Sequence, residues 1–438
     1  MPTSKMKILV TAILLLLSLE GFSQTYWKIG TESGEEILLT IEVSTKNQTF
    51  KAFTRKDAIK DIAGFFAYNL AHAAGKLKYP EIVYIDGQAS QLKDSLKLNG
   101  TFYYTDKKYD FQATLAGNNF RGKYRDNRNR IHRLTGIQQT RPNPIRNYPV
   151  ILEKIISKTE THVIHPEMIQ SSEWKNFKSA VATLKHKISD DYELGALILW
   201  YNRQLPFLQV DFRRPNQPKQ IAKPRLQLVK PGVAYLGNPF PEKPAQRDSI
   251  SEIIFRNNVK NLVVDLRGRS RMSVVSAKIL IDYLCNQDAV SGAFLTRKWF
   301  NSHSSLPDPV QYSRLFSEIP ETIEKISFPD VEGYSWGRFS GSRRFSGKLY
   351  VLTDSKTNKA AEILASILQT TKKATIVGQK TAGQRYVTES ISLTPEWNLM
   401  IPVAGFYQSG NLKDEELELS PDIKVDNQDA MTYLMKSI

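Results

Sequence analysis

From Gly232 onward, short apolar runs alternate with helical patterns, and this alternation limits the chain more than any other feature. Val233-Ala234-Tyr235-Leu236, Asn261-Leu262-Val263-Val264-Asp265-Leu266, Lys348-Leu349-Tyr350-Val351-Leu352-Thr353 and Ala374-Thr375-Ile376-Val377-Gly378 read as buried strands. Between them, Val274, Val275, Ile279, Leu280 and Tyr283 mark one helix, and Asn358 to Gln369 another. Continuous apolar strands separated by helices predict an α/β domain with a mostly parallel core. Chemistry in such domains sits at the carboxyl ends of the strands. That singles out Arg267–Met272, Asp354–Glu362 and Gln379–Gln384.

The N-terminal half has a different period. Residues 26–135 read mostly as strands, with Ile37 to Val43 β-branched and apolar. Thr101–Tyr104 and Tyr109–Ala113 suggest a hairpin turning at Asp106-Lys107-Lys108, and Asp57–Ala74 suggests a helix. A small β-rich domain follows, read as a sandwich or partial barrel. Its cluster Lys123, Arg125, Arg128, Arg130 and Arg133 reads first as a solvated strand or turn and second as a binding patch. After a proline-rich linker at Arg141–Pro144, the spacing of Phe177, Val181, Leu184 and Ile188 and the stretch Glu193–Tyr201 indicate a helical unit. A second proline-rich stretch, Pro215–Pro224, leads into the α/β part. The expected division is 1–23, 24–140, 150–214 and 225–438.

The first 23 residues read as a signal peptide. Lys5 and Lys7 precede the apolar run Ile8–Leu19, whose 12 residues fall short of the ~20 that span a bilayer. Gly21-Phe22-Ser23 offers a small-residue cleavage site, placed after Ser23. No cysteine follows it, so a lipid anchor is not expected, and no later stretch reads as a membrane segment. The chain is expected to be exported, to the periplasm or the cell exterior. The single cysteine, Cys285, excludes a disulfide framework and a cysteine-rich zinc site. A net charge of +16 favours anionic surroundings, but export removes nucleic acid from the expected partners. His162 and His165 form a His-x-x-His pair with Glu160 and Glu167 nearby, yet no third histidine stands at a ligand spacing. No metal and no cofactor are expected.

The strand ends carry motifs, and these resemble the tail-specific, or C-terminal-processing, serine peptidases, including the branch of tricorn and the retinoid-binding repeat proteins. Leu262–Gly268 resembles a hydrophobic strand followed by D-L-R-x-N-x-G-G. Val351–Glu362 resembles V-L-T-x-x-x-T-x-S-A-x-E, Ala374–Gly383 resembles A-T-x-V-G-x-x-T-x-G, and Ser420–Val425 resembles x-P-D-I-x-V. The likeness covers about residues 230–427, leaves the β-rich domain outside, and shows no clear room for a PDZ insert. It implies a peptidase core of crotonase/ClpP-like fold.

What the resemblance implies about catalysis is awkward. The nucleophile position holds Lys359, whose amine cannot form the ester of a serine acyl-enzyme. The general-base position holds Gln384, an amide that does not titrate. The oxyanion turn keeps Gly268 but continues Arg269-Ser270-Arg271-Met272, without the asparagine and glycines. Glu362 and Asp422 are retained. Ser355 and Ser366 stand four before and seven after the nucleophile position, too far to replace it. Ser270 with Lys359 as base, or His303 in a rebuilt triad, would be inventions. The reading is therefore a degenerate peptidase that binds peptide or an unfolded protein segment. The alternative is an active serine-type endopeptidase acting on protein C-terminal regions with a relocated catalytic set. The irregular stretch Trp299–Phe345 is aromatic and arginine-rich, with Phe300, Tyr312, Phe316, Tyr334, Phe339, Arg343 and Arg344. It reads either as a packed lid or as a contact surface, with Trp299, Trp336 and Arg338 as its substrate-binding candidates.

Overall fold

The computed structural model describes residues 23–212, 224–268, 272–285, 292–320, 326–336, 344–408, 418–425 and 429–438. The proposed leader up to Phe22, the turn residues Arg269–Arg271 and Arg338 lie outside the described residues. The chain divides into two compact units. The first takes its described residues from Met1–Thr159, Gln170–Gln217 and Ser390–Met400; the second takes them from Glu160–Ile169, Pro218–Glu389 and Ile401–Ile438.

In the first unit, eight antiparallel strands close into a barrel: β1 (Ser23–Thr31), β2 (Glu36–Ser44), β3 (Thr49–Phe53), β4 (Val83–Leu92), β5 (Ser95–Tyr104), β6 (Lys107–Ala116), β7 (Asn119–Arg125) and β8 (Ile131–Gln139). Side chains alternate across each strand, so one set fills the interior. Trp27, Ile41, Phe50, Leu98, Phe111 and Phe120 are each at most 2% exposed. The β-rich domain is thus a closed barrel and not a sandwich, because β8 pairs with β1 and leaves no edge. The β5–β6 turn lies at Thr105-Asp106, earlier than expected. Lys107 and Lys108 are already paired with Tyr104 and Tyr103, and Thr105 takes the left-handed conformation at φ 54°. Gly87 and Gly100 pair directly across β4 and β5. A Cβ on Gly100 would stand 2.0 Å from the Asp86 carbonyl oxygen, so the two backbones touch where no side chain fits.

The expected helix at 57–74 is two, α1 (Ala58–Ala63) and α2 (Phe65–Ala73), broken at Gly64, whose φ is 83°. Of the basic cluster, Arg130 pairs with Asp126 and Arg133 with Glu32, while Arg125 donates to Asn129. Helices α3 (Tyr148–His162), α4 (Ser172–Leu184) and α5 (Asp191–Asn202) follow. The side chain of Ser171 caps α4 and that of Asp190 caps α5. The other oxygen of Asp190 accepts from the Leu38 amide, and Asp191 accepts from the Glu36 amide. The acidic start of α5 is thereby bound to β2.

The second unit holds a six-stranded sheet in the order β10 (Arg225–Lys230), β11 (Val233–Gly237), β12 (Asn261–Asp265), β15 (Lys348–Thr353), β16 (Ala374–Gly378) and β19 (Ile423–Lys424). All its pairings are parallel except β10–β11. Helices α6 (Pro244–Arg256), α7 (Val274–Leu284), α10 (Lys359–Thr370) and α11 (Ala430–Ser437) accompany it. The expected α/β core with a preceding β-rich domain is what the chain forms. Helix α10 packs against α7 and buries Ala360 through Leu368 without a break. A helix buried on every side in this way belongs to a core, and its polar Glu362 and Ser366 are buried with hydrogen-bond partners. Strands β13 (Gly292–Thr296) and β14 (Gly333–Trp336) pair with each other, with the short helices α8 (Arg297–Ser302) and α9 (Tyr312–Leu315) between them in the chain, and β13 also pairs with residues 404–407 of β18 (Trp397–Tyr407). Strand β17 (Tyr386–Ser392) precedes β18, and β9 (Gln209–Phe212) pairs with its residues 397–400.

Two outcomes test these packings. Gly100→Val should lower stability by about 1–3 kcal/mol, read as a shifted urea midpoint. Cys285 is 1% exposed, and burial pushes its thiol up to about 11. The folded protein should therefore resist iodoacetamide at pH 8, while the urea-unfolded chain is alkylated.

Candidate functional site

The parallel register brings three strand ends together. Asp265 lies opposite Leu352, and Thr353 opposite Gly378. The loops that follow are bound to one another by side chains that cap the backbone. The Thr357 hydroxyl, fully buried, donates to the Leu266 carbonyl at 2.9 Å, and the Asp354 amide donates to that hydroxyl at 3.1 Å. The Thr357 carbonyl accepts from the Ala382 amide at 3.0 Å. Asp354 closes the first loop: its carboxylate accepts from the amides of Lys356 and Gly268, each at 2.9 Å. The sequence marked the stretch Asp354–Glu362 but gave neither Asp354 nor Thr357 a role of its own. The signal available was local, since Asp-x-x-Thr after a strand is a turn in which both side chains fold back on the backbone.

Lys359 opens α10 with φ 54°, a left-handed conformation that is costly for a residue with a Cβ. Its amide donates to the Gln384 carbonyl at 2.8 Å, and its ammonium lies over the Tyr386 ring, 5.8 Å from the centroid. The nucleophile and base positions are thus adjacent through the backbone. Glu362 stands one turn further along α10 and is fully buried. It accepts from the Thr381 hydroxyl at 2.6 Å, the Gly383 amide at 3.0 Å and the Gln384 amide at 2.9 Å. Burial raises its carboxyl above the ordinary range, and these donors oppose the rise. Its role here is to hold the Thr381–Gln384 turn against the head of α10.

The oxyanion turn is described only as far as Gly268, whose φ is 80°. Its amide is already engaged by Asp354. Arg267 is held by Asp265 through two side-chain bonds, at 2.9 and 2.7 Å, and reaches Asp429 at 2.5 Å. Bonds to Asp265 hold the guanidinium above its usual value. Ser270, Arg269 and the rest of the turn lie outside the described residues.

The other serines and histidines stand elsewhere. Ser355 is exposed, while Ser366 is 2% exposed and donates to Gln408. His303 stacks on Trp299 at 3.7 Å between ring centroids, and its Nδ1 is 3.2 Å from the Trp299 carbonyl oxygen. His162 ends α3, and His165 lies 2.9 Å from the Tyr407 hydroxyl. Among the described residues, no group of three His, Cys, Asp or Glu side chains gathers as a metal site. Asp422 accepts from the Ile376 amide at 2.7 Å and from Gln369 at 3.0 Å, and so fastens β16.

Two of the aromatic binding candidates must be corrected. Trp336 is fully buried, with its ring 5.2 Å from Phe294 and 5.8 Å from Phe406. Trp299 is 6% exposed, donates to the Ser305 carbonyl and packs with Leu306, Tyr312 and Phe316. The described part of this stretch is a packed cover, because its rings meet one another rather than solvent. Arg338 lies outside the described residues.

An α/β domain with its candidate site at the carboxyl ends of parallel strands is thereby defined. Residues 240–425 match the model of Peptidase family S41, so the resemblance carried by the four motifs holds over that stretch. Among solved structures, a lipoprotein from Streptococcus agalactiae is 14% identical, over 67% of this chain and 98% of that one, with a TM-score of 0.44. The photosystem II D1 C-terminal processing protease is 13% identical over 64% and 94%, with a TM-score of 0.36. The tricorn protease is 8% identical over 80% and 46%, with a TM-score of 0.43. No curated protein matches this chain.

Glu362→Ala should release the 381–384 turn and lower stability by about 2–3 kcal/mol in urea unfolding. A pH series on Glu362→Gln checks the carboxyl itself. A folded pKa above the unfolded one contributes stability below the ordinary carboxyl range that is lost as pH rises through the raised value. The stability lead of the wild type over Glu362→Gln should therefore narrow as pH rises through that window.

Proposed function

We propose that this chain is an exported relative of the S41 peptidases that holds peptide or an unfolded protein segment at the former catalytic centre without cleaving it. The carrying observation is Lys359 at the head of α10, where the family resemblance calls for a serine. A primary amine attacking a peptide carbonyl leads to a new amide rather than a hydrolysable ester, so turnover through an acyl-enzyme fails. Two further observations support this reading. Gln384, at the base position, offers no titrating group. The Gly268 amide, at the start of the altered oxyanion turn, is occupied by Asp354. Peptide remains the ligand class because a peptidase-family fold implies protein or peptide substrates. Export is supported by Lys5, Lys7 and the apolar run Ile8–Leu19.

The relocated-catalysis alternative gains little from the serines described. Ser366 is buried and donates to an amide side chain.

The test is incubation of the exported protein with an unfolded protein substrate, read by mass spectrometry, beside Lys359→Ala and Ser270→Ala. The expected result is no cleavage by any form, with peptides co-eluting with the wild type and a mature N-terminus at Gln24. Cleavage by the wild type that is lost in either variant overturns the proposal and names a catalytic residue. The absence of both cleavage and peptide retention overturns the binding half.

A further inference from the structure

A cavity lies at one end of the barrel, lined by barrel residues together with Tyr192, Asp211 and Trp397, and of its lining only Trp397 falls within residues 240–425. The cavity there measures about 510 Å³, within the range of small-ligand sites. Tyr104, Tyr109 and Tyr124 line it. Each is in phase along its strand with interior residues, respectively Phe102, Phe111 and Phe120. They therefore point into the barrel rather than out from it. Tyr192, from the first turn of α5, faces the same space and meets Tyr104 edge-on, with rings 5.4 Å apart at 85°.

Ring geometry and hydrogen bonding describe what could fill the space. Phe102, Tyr124 and His132 form a nearly parallel offset stack, with successive centroids 4.8 and 4.7 Å apart and interplanar angles of 3° and 11°. This gives a stepped flat wall. Among the described residues, none of the four tyrosine hydroxyls has a hydrogen-bond partner, and none is a buried orphan, so all four remain open to solvent or a ligand. Burial, reinforced by the Glu35 carboxylate, pushes the Tyr104 and Tyr124 phenols up to about 12. They are neutral donors at ordinary pH. Glu35 lines the cavity and is steadied by the Ser33 hydroxyl at 3.0 Å.

Other ligand classes fit worse. An apolar ligand would leave the hydroxyls and charges unsatisfied. An anion would meet the carboxylates of Glu35, Asp126, Asp191 and Asp211. A simple cation would meet the Lys107 ammonium and the Arg130 guanidinium in the same lining, the latter paired with Asp126. A peptide strand has no edge to join, because the barrel is closed. What remains is a neutral ring ligand whose flat C–H face lies on aromatic walls and whose hydroxyls bond to phenols and carboxylates. We propose that this end of the barrel is a binding site for a neutral sugar of the oligosaccharide class.

The test uses the full exported chain and four neutral tetrasaccharides, built of β-glucose, α-glucose, N-acetylglucosamine or galactose units. Binding is read by saturation-transfer NMR and by tyrosine fluorescence titration. At least one sugar should bind saturably. Tyr104→Phe and Tyr124→Phe keep the rings and remove only a hydroxyl, so each should weaken binding roughly three- to tenfold with the thermal melt unchanged. Lys359→Ala should leave sugar binding intact, which separates this result from the peptidase-site reading. Absence of saturable binding by all four sugars overturns the proposal. Binding unaffected by both Phe variants overturns the location. Saturable binding of tetramethylammonium with no sugar bound overturns the ligand class.

Discussion

The parallel pairing of β12, β15 and β16 is the constraint on which the candidate site depends. Parallel strands in register end on the same side of a sheet, so three chain segments far apart in sequence must turn within a few ångströms of one another. Their carbonyls and amides would be unsatisfied there without partners. Thr357, Asp354 and Glu362 supply those partners from side chains: Thr357 and Asp354 bond to a neighbouring loop and to backbone near them, and Glu362 bonds to the 381–384 turn. The loops are held as one construction rather than as three independent connections.

That construction separates scaffold from chemistry. The groups that hold the loops in place are present: the Thr357 hydroxyl, the Glu362 carboxylate and the Asp422 carboxylate all find their donors or acceptors. Where the family resemblance calls for a serine and a base, the chain carries Lys359 and Gln384. Lys359 still occupies a left-handed backbone at a helix start, a conformation that costs about 1–3 kcal/mol and persists only because the surrounding turns over-determine it. The Lys359 amide bond to the Gln384 carbonyl and the Glu362 bonds to Gly383 and Gln384 are that determination. Backbone shape and side-chain reactivity thus rest on different residues here: the turns are set by Glu362, Asp354 and Thr357, and the side chains at 359 and 384 do not enter those bonds.

The barrel answers to a separate logic. Closure pairs every strand and removes the edges that would recruit another chain. The interior is filled by Trp27, Phe50, Leu98, Phe111 and Phe120 over most of its length. Toward one end, tyrosines take the inward positions, and among the described residues their hydroxyls have no hydrogen-bond partner. Aromatic bulk keeps the wall rigid there, while the phenol oxygens keep it wet.

Much of this was legible in the amino-acid sequence. Apolar runs and helical spacing located β12, β15, β16 and α10, because buried parallel strands and a buried helix are mostly apolar along their length. The motifs marked the strand ends and showed Lys359, Gln384 and the altered turn after Gly268 as departures. Local pattern misjudged what depends on distant contacts. It read one helix where Gly64 makes two. It placed the β5–β6 turn too late, because Lys107 and Lys108 look like turn residues until their cross-strand partners are known. It offered Trp299 and Trp336 as a binding surface, although a tryptophan's sequence neighbours do not say whether its ring meets solvent or Phe294. The sequence by itself determined which residue types stand at the reactive positions. Only the tertiary structure decided that the barrel closes, that its tyrosines converge on one cavity and that Asp354 occupies the Gly268 amide, because each joins residues whose separation along the chain hides their meeting in space.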